Sequence, residues 1–126
     1  MSAQLTSEMI QAGEDLIRAL DRHKFSARTA LWLYTEEHDR WRLVIATTHR
    51  RLMGARKSYK AVDKVLSEID TPIDLSSVSL VDTKDRMIKG LSTPFPTRAA
   101  ARGFRLSHAI IAGRIIDDAY IYRIAA

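Results

Sequence analysis

Residues 30–47 read ALWLYTEEHDRWRLVIAT, and this stretch decides the fold. Ala30 to Thr35 is apolar at nearly every position, as in a strand covered on both faces. Glu36 to Asp39 is a short acidic run that interrupts the apolar pattern and reads as a turn. Arg40 to Thr47 then alternates, placing Trp41, Leu43 and Ile45 on one side. Two such strands joined by a polar turn make an antiparallel hairpin. Trp32 and Trp41 are expected to anchor the core, because an indole ring buries a large apolar area.

Helical patterns lie on either side of this hairpin. Upstream, Met9, Ile10, Gly13, Leu16, Ile17 and Leu20 recur at helical spacing, with Thr6 or Ser7 as cap and Glu8 favourable to the helix dipole. The pattern stops near His23. Downstream, a basic loop from His49 to Lys57 precedes a second helix carrying Tyr59, Val62, Val65, Leu66 and Ile69, which ends before Pro72. Val78 to Asp82 reads as a third strand, and Asp82 as the cap of a short helix with Met87, Ile88 and Leu91. Ser92 to Gly103, with Pro94 and Pro96, is the least regular stretch. Phe104 to Ile111 and Ala119 to Ile124 are strand-like, with a break around Gly113 and Asp117-Asp118. The resulting order is α-β-β-α-β-α-β-β, an α+β plan whose largely antiparallel sheet of about five strands has helices on one face. The terminal strand ends the sheet either internally or by pairing with a copy of itself, and an unprotected edge suits a two-fold dimer.

Length and composition set the outer bounds. At 126 residues, 46% of them hydrophobic and 28% charged, residues 1–126 are expected to form one compact domain and not a disordered chain. There is no cysteine, which removes disulfides, thiolate metal sites and a cysteine nucleophile. No secretory leader pattern opens the chain, and no apolar run approaches the ~18 residues of a membrane span. A cytoplasmic protein with no membrane contact is the expectation.

The layout of charge says more than the net +5. From Arg40 through Val62 there are seven basic residues and no acidic one, and from Arg86 through Ile116 six more, again without an acid. The remainder of the chain holds seven basic residues against fifteen acidic ones. Arginine dominates both windows, and its planar fork matches phosphate better than a lysine point charge does. Arg50, Arg51, Arg56, Lys57, Lys60, Arg98, Arg102 and Arg105 are the residues expected to contact a phosphate backbone, provided the windows share a face. Tyr59 and Phe104 lie beside them, suited either to base stacking or, for Tyr59 at helical spacing, to the core.

Signatures of catalysis are sparse. Gly54-Ala55-Arg56-Lys57-Ser58 has the tail of a phosphate-binding loop without its leading glycine or spacing. His23, His38, His49 and His108 include no pair four apart, so neither metal nor cofactor is implied. A metal-dependent nuclease would need Asp117 or Asp118 joined by Asp82 or Glu36, and a metal-free one would need His49 and His108 to meet. An aspartate-rich hairpin turn is the simpler reading of the Asp117-Asp118 pair.

The strings ALWLY (Ala30 to Tyr34), WRLVIAT (Trp41 to Thr47) and DAYIYR (Asp118 to Arg123) resemble a group of small bacterial proteins of unassigned function. The resemblance implies a compact bacterial domain and carries no activity with it. The residues themselves favour a non-enzymatic binding or adaptor domain, homodimeric, whose Arg-rich surface takes nucleic acid or another polyanion. The alternatives are a small nuclease and a protein-only interaction or regulatory module.

Overall fold

The computed structural model describes residues 4–92 and 103–124. The first apolar stripe becomes α1 (Ser7–Arg22), capped by Thr6, whose hydroxyl accepts from the Met9 amide at 3.2 Å. The chain then turns at Lys24, with φ 57°, into β1 (Ala27–Thr35) and β2 (Arg40–Thr47). These two strands pair antiparallel, with Trp32 opposite Leu43 and Tyr34 opposite Trp41.

The segment expected as a basic loop is helical instead. α2 (Thr48–Met53) starts directly on the end of β2, where the Thr47 hydroxyl accepts from the His49 amide at 3.1 Å. Gly54, with φ 85°, separates it from α3 (Ala55–Glu68). A side chain is strained in that left-handed region, so glycine is the residue that lets one helix follow another with a single intervening position. β3 (Val78–Val81) follows a short 3-10 turn at Leu75–Ser77 and pairs with β2 in parallel, Leu43 opposite Val78 and Ala46 opposite Val81.

α4 (Arg86–Ser92) comes next, and β4 (Phe104–Ile111) and β5 (Arg114–Arg123) form the last hairpin. The cap of α4 is Asp85, not Asp82: its carboxylate accepts from the amides of Met87 at 3.0 Å and Ile88 at 3.4 Å. The break in the last hairpin is confined to Ala112 and Gly113, at φ 52° and 77°. Asp117 and Asp118 therefore lie inside β5 and do not form the turn.

The architecture is α+β, with strand order β3-β2-β1-β5-β4. Every pairing is antiparallel except β2 with β3. β5 lies between β1 and β4, so the terminal strand is internal and the edges are β3 and β4. The sheet is covered on both sides, as the apolar run of β1 requires. Leu16 and Leu20 of α1 and Val62 and Val65 of α3 pack on Trp32, Leu43 and Ile45. On the other face, Ile88 and Leu91 of α4 pack on Leu31, Val44 and Ala46, joined by Ile111, Ile116 and Ile121. The one-face expectation thus describes α1 and α3, whereas α4 belongs to the second layer. Trp32 and Trp41 are both buried.

The terminal strand is locked to the first helix by a buried chain of hydrogen bonds. The Trp32 indole N–H donates to the Tyr122 hydroxyl at 2.8 Å, which donates to the Ile10 carbonyl at 2.7 Å. Burial away from water pushes the Tyr122 phenol well above its ordinary range, the indole bond opposing only in part. Gly13 of α1 makes room for this contact: a Cβ there would crowd the Tyr122 hydroxyl and lie 2.8 Å from Tyr122 Cζ and 2.9 Å from Trp32 Nε1.

Candidate nucleic-acid interface

The hairpin geometry sorts the charges to opposite ends of the sheet. β1 spans nine residues, about 30 Å at roughly 3.3 Å per residue. At its far end the turn 36–39 exposes Glu36, Glu37 and Asp39. Asp117 joins them, its Oδ2 accepting from the Glu36 amide at 3.0 Å. At the near end, β2 delivers the chain into α2, whose His49 ring packs on Phe25 with centroids 4.9 Å apart. The turn end of the hairpin is thus rich in carboxylates, and the opposite end leads into the arginines and lysines of α2 and α3.

Arg50, Arg51, Arg56, Lys57 and Lys60 all sit at the basic end, on α2 and α3. On α3, Ser58, Val62 and Val65 face the core, which leaves Arg56, Lys57, Lys60 and Lys64 exposed together with the acids Asp63 and, at the helix end, Glu68. Spacings of three and four residues put these cations in neighbouring turns of a single helix face. None of the five predicted cations on these helices forms an ion pair within 4 Å of a described carboxylate, although the Arg51 charge reaches Asp82. Leu52 and Met53, 73% and 48% exposed, complete the surface at the α2–α3 corner.

The second basic window is not gathered there. Arg105 of β4 makes a two-pronged ion pair with Asp118, its Nε and Nη2 donating at 2.7 and 2.5 Å, and its guanidinium lies 5.4 Å from the centre of the Trp41 ring. That position is on the acidic half of the sheet. The bonds from Arg105, aided by the Ser107 hydroxyl, hold the Asp118 carboxyl below the usual carboxylate range against the opposing effect of burial. Arg98 and Arg102 lie outside the described residues. The first window is also split: Arg40 and Arg42 reach Ser76 and Ser79 beside β3, far from α2.

The aromatic candidates serve the core. The Tyr59 hydroxyl accepts from the Leu80 amide at 3.0 Å, tying α3 to β3. Phe104 packs on the α4 face of the sheet. The catalytic pairings are not assembled either. His49 lies at the basic end, while His108 lies on β4 between Ser107 and Ala109, level with Asp117. Asp82 follows β3 at the basic end, away from Asp117 and Asp118, and no group of three His, Asp or Glu side chains suited to a metal occurs among the described residues.

Two features at the basic end escaped the sequence pattern. The first is the setting of His49, whose Nδ1 lies 2.7 Å from the Ser58 hydroxyl. Ser58 is fully buried and donates its single proton to the Gly54 carbonyl at 2.8 Å. The hydroxyl therefore accepts from His49, which assigns the hydrogen of the neutral ring to Nδ1 and leaves Nε2 as the acceptor. The second is a cleft of about 340 Å3 lined by Arg50, Leu80, Val81, Asp82, Lys84 and Asp85. Its signal in the sequence was the long helical connection between two apolar strands, which marks a parallel pair whose carboxyl ends meet. No protein-family model matches the chain, and comparison with curated proteins and with solved structures returns no match.

Proposed function

We propose that this protein is a non-enzymatic nucleic-acid-binding domain that contacts the phosphate backbone through α2 and α3. The observation that carries the reading is the cluster of Arg50, Arg51, Arg56, Lys57 and Lys60 at one end of the sheet, with no ion pair within 4 Å of a described carboxylate. Structural cations tend to be spent on neighbouring carboxylates, as Arg105 and Arg123 are here. Unspent cations on a rigid helix face offer their charge to a partner and release counterions when they meet phosphate.

The acidic turn at the other end of β1 adds direction. A polyanion is repelled from Glu36, Glu37 and Asp39 and drawn to α2 and α3, so approach is oriented before contact. The β4 edge supports a second part of the proposal, a homodimer. Ile110 and Ile115, 74% and 73% exposed, face each other across the β4–β5 ladder and give a second copy an apolar contact beside an open edge.

The test is anisotropy of labelled RNA and DNA, single- and double-stranded, over a salt series. Five phosphate contacts predict a log–log slope of about −4.5 on duplex and about −3.5 on single strands. Combined Arg51→Glu, Arg56→Glu, Lys57→Glu and Lys60→Glu substitutions should abolish binding, and each single neutralisation should flatten the slope by about one. Absence of binding to every nucleic acid at ~50 mM salt overturns the reading.

A further inference from the structure

β2 and β3 run parallel, so their carboxyl ends lie side by side and the segments leaving them meet around the cleft. Arg50 enters from α2, and Asp82, Lys84 and Asp85 come from the connection between β3 and α4. The Nε of Arg50 is buried and has no hydrogen-bond partner among the described residues. A buried donor on a charged group is costly to leave without an acceptor, so the Arg50 guanidinium is the group lining the cleft that gains most from an added anion.

The carboxylates do not fill that need. Asp82 uses Oδ1 to accept from the Thr83 hydroxyl and the Lys84 amide, both at 3.3 Å. Asp85 uses Oδ1 for the first amides of α4. Asp82 also faces the Arg51 charge, and both groups are acceptors only. The cleft therefore sets two cationic side chains beside two carboxylates that can accept further hydrogen bonds. A bare anion would be repelled by the carboxylates, and a neutral polyol would leave Arg50 unsatisfied. A phosphorylated sugar meets both demands, and the volume lies within the range of small-ligand sites.

We propose that this cleft binds the phosphate and ribose of a nucleotide, with the phosphate on Arg50 and Lys84 and the sugar hydroxyls on Asp82 and Asp85. The source of that group rests on the nucleic-acid reading: it is the 5′-terminal nucleotide of a strand lying on α2 and α3, Arg50 being the immediate neighbour of Arg51. A free mononucleotide has the same chemistry and is the other source.

The test uses the isotope-labelled full chain and follows the Arg50 Nε–H resonance by NMR during titration with adenosine 5′-monophosphate, adenosine or inorganic phosphate. The monophosphate should shift that resonance saturably and bind about tenfold or more tighter than either fragment. Arg50→Lys, which keeps the charge but loses the fork, should remove most of that affinity, as should Lys84→Gln at an exposed position. No shift with the monophosphate, or equal affinity for inorganic phosphate, overturns the proposal. In parallel, 5′-phosphorylated RNA binding several-fold tighter than its 5′-hydroxyl twin identifies the strand end as the source; equal affinities with an intact monophosphate response identify a free nucleotide. A monophosphate response without any RNA binding keeps the cleft and overturns only the nucleic-acid reading.

Discussion

Substituting Gly13→Ala sets helix propensity against packing, and the two predict opposite signs. Alanine in place of glycine inside a helix ordinarily stabilises by about 1 kcal/mol. Here the new methyl would crowd the Tyr122 hydroxyl and stand 2.8 Å from Tyr122 Cζ and 2.9 Å from Trp32 Nε1, well inside normal contact. The ring must move by roughly an ångström, enough to break bonds that now measure 2.8 and 2.7 Å. Losing two hydrogen bonds costs about 1 kcal/mol each, and the stranded indole N–H adds about 1–3 kcal/mol. Ile10 loses less, because its carbonyl keeps its place in α1. Net of the propensity gain, Gly13→Ala should destabilise by about 1–3 kcal/mol in urea denaturation. Tyr122→Phe alone should cost about 2 kcal/mol, mostly from the orphaned Trp32 donor. Adding Gly13→Ala to Tyr122→Phe should then cost less than it does in the wild type, because the hydroxyl it collides with is gone. A neutral or stabilising Gly13→Ala, or strict additivity of the two changes, would refute the argument.

Three further outcomes are expected. Because Asp118 is held below its ordinary value in the folded state, its contribution is complete above the unfolded value near 3.9 and is lost as pH falls through the folded one. Asp118→Asn should therefore lie about 0.5–1 kcal/mol below wild type at pH 7, the gap closing below about pH 4 in thermal melts. Ser58→Ala should destabilise by about 1–2 kcal/mol and strand the His49 Nδ1–H. Nitrogen NMR of the neutral ring should show the hydrogen on Nδ1 in wild type and a mixed tautomer in the variant. Ile110→Lys with Ile115→Lys should leave monomer stability within about 0.5 kcal/mol, since both side chains are exposed. The same pair should halve the mass seen by light scattering, and an unchanged mass would remove the β4 edge as the dimer contact.

Much of the fold was legible because periodicity reports burial. The α1 stripe, the Ala30–Thr47 hairpin and the Thr6 cap all appear where the pattern puts them. What the pattern missed depends on partners distant in sequence. Val44 and Ala46 look like the outer face of an alternating strand, yet they are buried because α4 arrives more than 40 positions later. The basic run after Thr47 has few apolar residues and so no helical stripe; α2 forms there because Thr47 caps it and Gly54 ends it, with no buried residue of its own. Asp82 and Asp85 are equally good caps on paper, and only the path of the turn from β3 selects the second.

The candidate site shows the same limit in electrostatic form. Counting charges along the chain joined Arg105 to Arg50 because neither stood near an acid in sequence. Strand pairing overrides that: β4 lies against β5, which puts Arg105 beside Asp118 thirteen positions away and spends its fork there. Arg50 has the opposite fate. It sits one residue after His49, whose ring is held by Ser58, it lines the cleft beyond β3, and its Nε is buried without an acceptor among the described residues. Two arginines of equal standing in sequence thus differ in free charge, and the difference follows from which strand each one adjoins. A guanidinium already holding a carboxylate in two bonds has little to gain from phosphate, whereas one with an orphaned donor gains an acceptor it lacks. For this reason Arg105→Gln should alter stability and leave nucleic-acid affinity nearly unchanged, while Arg50→Gln should do the reverse.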